Sequence, residues 1–93
     1  MEFEFDPGKS VANKAKHGID FVEAQALWRD ERSLEIDARS DDEERVARIG
    51  RIGEKHWVAI YTLRHHKVRL ISMRRARDKE IQRYEDNLGR RVR

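Results

Sequence analysis

Arginine is the side chain best shaped to hold a phosphate, because its charge is permanent and its planar fork of donors matches two oxygens at once. In this chain arginines collect where a small domain should be placing core residues. Arg74 and Arg75 stand together in "KVRLISMRRARDKEIQRY" (Lys67–Tyr84), and Arg64 lies just upstream. Groups able to move protons accompany them: Glu80 and Tyr84 follow the arginine pair, and His17 is of the type whose charge changes near neutral pH. If the cations converge, they form an anion site. If they do not, they are a solvated face.

Charge distribution favours neither reading by itself. The net charge is +3, yet residues 45–75 hold nine basic side chains against one acidic, a balance of +8, while residues 30–44 hold two against eight, a balance of −6. One third of the chain therefore attracts polyanions, and the stretch "DERSLEIDARSDDEE" repels them.

Ninety-three residues make one domain with a small core. Charged residues are 42% of the chain against a usual value of about 25%, so most faces are wet. Trp28, Trp57, Tyr61 and three phenylalanines still argue for folding over disorder. With no cysteine, disulfides and thiolate metal sites are excluded, and a reducing cytosol suits the chain. No apolar run reaches the roughly 20 residues of a membrane span, and "MEFEFD" is unlike a signal peptide. The expectation is a cytoplasmic protein that does not enter a membrane.

The elements that must position the arginines follow from pattern. Phe3 and Phe5 alternate with glutamates, as in a short strand or extended arm. Asp6-Pro7 starts a helix and Gly18 closes it. Asp20 and Glu23 form a capping box for a second helix, whose buried stripe is Phe21, Ala24, Leu27 and Trp28. From Ser33 the period becomes two: "SLEIDA", "RVARIGR", "WVAIYTLR" and "KVRLISMR" read as four strands. The third is apolar on both faces and so central. Gly53-Glu54 supplies one turn and "RHHK" another, a weaker signal without glycine. Ile81, Tyr84 and Leu88 form the stripe of a last helix that Gly89 is expected to end, leaving 89–93 as a flexible tail. The order ααββββα describes an α+β domain over 1–93 with two N-terminal helices, a four-stranded, mainly antiparallel sheet and a C-terminal helix.

Strict alternation in the last strand puts Val68, Leu70, Ser72 and Arg74 on one face, and Lys67, Arg69, Ile71 and Met73 on the other. Neither face is purely apolar. Arg74 and Arg75 fall at the strand-to-helix junction, and a tight hairpin turn is expected to bring Arg64 close to them.

Four separated motifs resemble the BrnT toxins, a RelE-like branch of the ribonuclease toxins of bacterial type II toxin–antitoxin systems. They are "FDPGKSVANKAKHGIDFVEA", "RIG", "YTLR" and "VRLISMRRARDKEIQRY". The chain departs from the family's Ile-Ser-Ala-Arg at Met73. The resemblance implies a RelE-like fold and metal-independent RNA cleavage without a cofactor, which inhibits translation. It also implies neutralisation by a BrnA-like antitoxin dimer that holds two toxins and contacts operator DNA, the toxin reaching that DNA only through it.

Metal-free RNA cleavage uses the substrate's own 2′-OH as nucleophile, so the protein must position the backbone, move protons and stabilise charge on phosphorus. Charge stabilisation falls to Arg64, Arg74 and Arg75, and proton transfer to His17, Glu80 or Tyr84. Lys9, Lys16, Arg48 and Arg69 extend the RNA surface. Each proton-transfer candidate has a plainer reading: His17 as a helix-end residue, Tyr84 as core, Glu80 as a partner of Arg77 or Arg83. His65-His66 lacks the spaced carboxylates or cysteines of a metal site. The competing functions are a non-catalytic nucleic-acid-binding module and an interaction protein that docks an acidic partner.

Overall fold

The structure, a computed structural model, describes residues 1–38 and 44–91 of the chain. Strand β1 (Glu2–Glu4) leads into helix α1 (Pro7–His17), a 3-10 helix (Glu23–Arg29), β2 (Leu34–Asp37), β3 (Val46–Ile52), β4 (Lys55–Arg64), β5 (Lys67–Arg75) and helix α2 (Asp78–Arg91). The acidic run "SDDEE" lies largely outside the described residues.

Helix α1 begins and ends where its caps dictate. The Asp6 carboxylate accepts from the N–H groups of Gly8 at 2.7 Å and Lys9 at 3.3 Å, and Pro7 opens the first turn, so the orphan donors of that turn are satisfied. Gly18, at φ 80°, closes the helix by donating its N–H to the Lys14 carbonyl, the usual left-handed stop. The Asp20–Glu23 capping box also forms: Asp20 Oδ1 accepts from Glu23 N–H, and Glu23 Oε1 accepts from Asp20 N–H. It opens a 3-10 helix in place of the expected α-helix. Phe21, Ala24 and Leu27, all fully buried, recur every three residues, which is the 3-10 repeat.

The sheet has five strands in the order β1-β5-β4-β3-β2, and β4 is central as expected. It is mixed, correcting the four-stranded antiparallel expectation, because β1 pairs with β5 in parallel, Glu2 opposite Lys67 and Glu4 opposite Arg69. Period-two alternation marks a strand and says nothing about which neighbour it joins. Glycine proves unnecessary in the β4–β5 hairpin. His65 (φ 50°) and His66 (φ 68°) both adopt the left-handed conformation that a two-residue hairpin requires.

A bulge resolves the mixed faces of β5. Ile60 pairs with Ser72 but Tyr61 pairs with Leu70, so Ile71 is an extra residue and the alternation slips by one. Val68, Leu70 and Met73 therefore share a face, contrary to strict alternation, and all three join the core under α1 and the 3-10 helix with Phe21, Leu27, Trp57 and Tyr61. The larger side chain at Met73 is absorbed there. Its backbone is gripped by Asn13, which accepts from Met73 N–H at 3.2 Å and donates to Met73 O at 2.9 Å and Ile19 O at 2.8 Å. Asn13 is thus buried, in contrast to the exposed Lys9 and Lys16 of the same helix.

The opposite face carries a smaller core of Ala47, Ile49, Val58 and Tyr84, covered by α2 with help from Leu88 and Ala76. Gly89 does not end α2, which continues to Arg91. Among the described residues no helix is long and apolar enough to cross a membrane.

Candidate active site

Ordinary alternation sends the adjacent arginines at the end of β5 to opposite faces, and the slip at Ile71 decides which arginine takes which face. Arg74 turns toward α2. Its guanidinium is bidentate to Glu80, Nη1 to Oε1 and Nη2 to Oε2 each at 2.8 Å, and Nη1 also donates to the Arg75 carbonyl at 3.2 Å. Glu80 accepts in addition from Arg77 N–H at 2.8 Å. The pair is only 24% and 19% exposed. Hydrogen bonds from Arg74 hold the Glu80 carboxyl below its usual range against the opposing effect of burial, and the Arg74 guanidinium is correspondingly raised. Glu80 is therefore an ionised brace between β5 and the first turn of α2, with little basicity to offer. Its ion-pair partner is Arg74; of the two helical arginines that spacing suggested, Arg77 reaches it through its backbone N–H, and among the described residues neither Arg77 nor Arg83 pairs with it through a guanidinium.

Arg75 turns to the α1 face and is exposed. Its guanidinium carbon lies 5.5 Å from the centre of the Trp57 ring, directly across the strand pair, and its Nε donates to the His56 carbonyl at 3.3 Å. The ring face attracts the cation and steadies it. The ring lies against the guanidinium, and the carbonyl takes its Nε. The two terminal nitrogens are in no hydrogen bond or ion pair among the described residues.

His17 shares this face. It is half-buried at the end of α1, one helical turn beyond Asn13, whose side chain is bonded to Met73 of β5. Among the described residues its imidazole makes no hydrogen bond.

Tyr84 stands apart from these groups. It is 2% exposed, so no base can stack on it, and its hydroxyl donates to Asp30 Oδ2 at 2.8 Å. Burial, then the Asp30 hydrogen bond and charge, push the phenol up to about 12. Asp30 also accepts from Arg51 N–H at 2.9 Å and Arg32 N–H at 3.0 Å. Burial opposes ionisation of Asp30, yet the hydrogen bonds from Arg51, Tyr84 and Arg32 outweigh it and hold the carboxyl low. Asp30 thereby ties the end of the 3-10 helix, β3 and α2 together. A glycine at position 50 permits this approach, since a Cβ there would lie 3.1 Å from Asp30 Oδ2 and 3.0 Å from Leu27 and Ser33. His56, which the sequence did not single out, sits edge-on to Tyr84 with its Nε2 3.2 Å from Glu85.

The remaining candidates are scattered. Arg64 does not approach the arginine pair: it lies opposite Lys67, while Arg75 lies opposite Trp57, seven residues or roughly 23 Å along β4. The hairpin is tight, but antiparallel pairing puts Arg64 at the turn and Arg74 and Arg75 at the far end. Arg69 is 3.7 Å from Glu4. Arg48 is bound to Glu35 and, at 2.6 Å, to Ser33 Oγ, with its guanidinium over Trp28 and Tyr61. Among the described residues no three His, Asp or Glu side chains gather as a metal site.

Trp57 and Asp30 are the positions that sequence reasoning missed. Trp57 is visible afterwards as the aromatic opposite Arg75 in a hairpin; Asp30 has no local signal, because all its partners but one are remote in sequence. Compared with known proteins, the chain matches over residues 5–80 a family model described as the ribonuclease toxin, BrnT, of type II toxin-antitoxin systems. No curated protein matches it. The matched span contains His17, Arg74, Arg75 and Glu80 and stops short of Tyr84.

Proposed function

Since the chain belongs to the BrnT family of type II toxin–antitoxin ribonuclease toxins, and so is an endoribonuclease with an antitoxin partner, we propose that it cuts RNA without a metal on the α1 side of the β5–α2 junction. A base takes the 2′-OH proton, the 2′-oxygen attacks the adjacent phosphorus, and the P–O5′ bond breaks as the 5′-oxygen gains a proton. Arg75 stabilises the charge that grows on the phosphorane oxygens. His17 transfers a proton. Arg74, held by Glu80, fixes the junction so that Arg75 leaves the sheet at a set angle, and Tyr84 braces α2 through Asp30. Lys9 and Lys16, exposed on α1, extend the RNA surface. Arg48, Arg69 and Arg64 lie in other contexts and receive no catalytic role.

The observation that carries this reading is the contrast in donor use: the Arg75 guanidinium is held by the Trp57 ring and, through Nε, by the His56 carbonyl, and among the described residues its terminal nitrogens are in no hydrogen bond or ion pair. A single domain over 1–93 acts in the cytoplasm, where its RNA is. A BrnA-like antitoxin dimer holds two toxins and silences them by covering Arg75, drawn by the +8 balance of residues 45–75.

The test is cleavage of labelled RNA by purified protein in EDTA. Native protein cuts, and Arg75→Ala falls by about 10²-fold, the scale for losing one charge-stabilising donor group. Activity lost in EDTA and restored by Mg²⁺ contradicts the metal-free mechanism, and full activity in Arg75→Ala removes the residue assignment.

A further inference from the structure

Where the 3-10 helix ends beside α2, a cleft of about 480 Å³ opens at the same end of the sheet as Arg75. Three arginines from three elements line it: Arg29 ends the 3-10 helix, Arg32 follows in the loop before β2, and Arg51 projects from β3. All three are exposed, and among the described residues none of their guanidiniums is in an ion pair. The acidic group in the wall, Asp30, has its oxygens filled by Arg32 N–H, Arg51 N–H and the Tyr84 hydroxyl. The charged lining of three arginines and one aspartate therefore sums to +2, with its negative charge turned inward. Ala26 and Ile52 add apolar surface between the cations.

We propose that this cleft is an RNA subsite, holding the nucleotides next to the one whose phosphate is cut. The inference rests on the reading that Arg75 marks the scissile phosphate. Arg51 is opposite His56 and Arg75 opposite Trp57, in neighbouring rows two strands apart, so their backbones are about 10 Å from each other. Side chains on opposite faces carry the donors farther apart than the backbones, too far to share a single phosphate, so the two arginines would meet different phosphates of one strand. Arg51 and Arg75 leave opposite faces, so the RNA track crosses the end of the sheet. Arginine forks bind carboxylates as well as phosphates, but the apolar surface of Ala26 and Ile52 between the cations suits RNA, in which every phosphate is followed by a ribose and a flat base.

The experiment measures binding of a short 2′-O-methyl RNA strand, which cannot be cut, to the full chain over a range of salt. Each phosphate contact on a single strand contributes about 0.7 to the slope of log K against log salt. The triple variant Arg29→Gln, Arg32→Gln, Arg51→Gln is expected to lower that slope by about 2, and Arg83→Gln on α2 to leave it unchanged. If the triple variant does not fold, Arg51→Gln alone gives about a third of the change. A slope equal to that of native protein, or a loss matched by Arg83→Gln, overturns the subsite. So does a variant that binds RNA normally but loses affinity for the purified antitoxin, which would put an acidic peptide in the cleft. Native protein that cleaves, with Arg75→Ala inactive and the triple variant unchanged in slope, would remove the subsite and leave the junction reading standing. Full activity of Arg75→Ala would sink the junction reading by itself.

Discussion

Arg74 and Arg75 are neighbours in the chain with the same chemistry, yet the fold uses them in opposite ways. Arg74 enters the α2 side, where Glu80 closes both ends of its fork at 2.8 Å and the pair is three-quarters buried. Arg75 enters the α1 side, where an aromatic ring and a carbonyl steady it; the residue is exposed, and its outer donors have no partner among the described residues. An arginine whose fork is closed on a carboxylate inside the protein stabilises the fold and has little left for a substrate. An arginine that is held but not satisfied is ready to bind charge as it develops. The side chain's uncommitted donors, more than its charge, separate a functional cation from a structural one.

Function and stability should therefore part between the two sides of the sheet. The largest expected effect lies on the open side: His17→Ala lowers cleavage by roughly 10²-fold, the usual weight of one proton-transfer group. Imidazole added to the buffer should restore part of that rate if His17 transfers a proton, and none if it only packs. Next comes the joint on the braced side. Asp30→Ala leaves the buried Tyr84 hydroxyl and the Arg51 N–H without their acceptor and should cost about 2–3 kcal/mol in urea unfolding. A cost below about 0.5 kcal/mol would mean that Asp30 does not tie the layers together.

A smaller effect concerns the brace itself. Arg74→Ala should cost about 1–2 kcal/mol, between the values for exposed and buried pairs. It should also carry a pH signature. The Glu80 carboxyl is held below its ordinary 4.5 in the folded state. Its contribution is thus fully present above pH 4.5 and is lost as the pH falls through the lower folded value. The stability gap between native protein and Arg74→Ala should close over that acid window, and a gap unchanged down to about pH 2 would contradict the ionised brace. The smallest effect is at the hairpin. His66→Gly relieves a positive φ and should raise stability by about 0.5–1 kcal/mol with cleavage unchanged.

Much of the frame was legible in local chemistry. Asp6, Pro7 and Gly18 delimit α1, Asp20 and Glu23 cap each other, and the two-faced apolar run at Trp57–Arg64 lies at the centre of the sheet. These features depend on residues a few positions apart. The features that escaped depend on pairing between distant segments. The bulge at Ile71 is set by how β4 and β5 align, and it reverses which residues of β5 share a face, so it decides which arginine is open. The parallel seat of β1 and the separation of Arg64 from the junction are also matters of strand partner and direction. The resemblance to BrnT toxins identified the activity from motif order, but motif order does not distinguish the fork bound to Glu80 from the one above Trp57.

The most direct test compares Arg74→Ala and Arg75→Ala in a single preparation, by measuring the single-turnover cleavage rate per folded molecule, with the folded fraction taken from urea unfolding. The expected result is a crossed pattern. Arg75→Ala loses about 10²-fold in rate with its unfolding midpoint almost unmoved, while Arg74→Ala loses stability but retains a rate within roughly tenfold of native protein. Equal rate losses at the two positions would show that only total positive charge matters at the junction, and a larger rate loss in Arg74→Ala would place the reacting phosphate on the α2 side of the sheet.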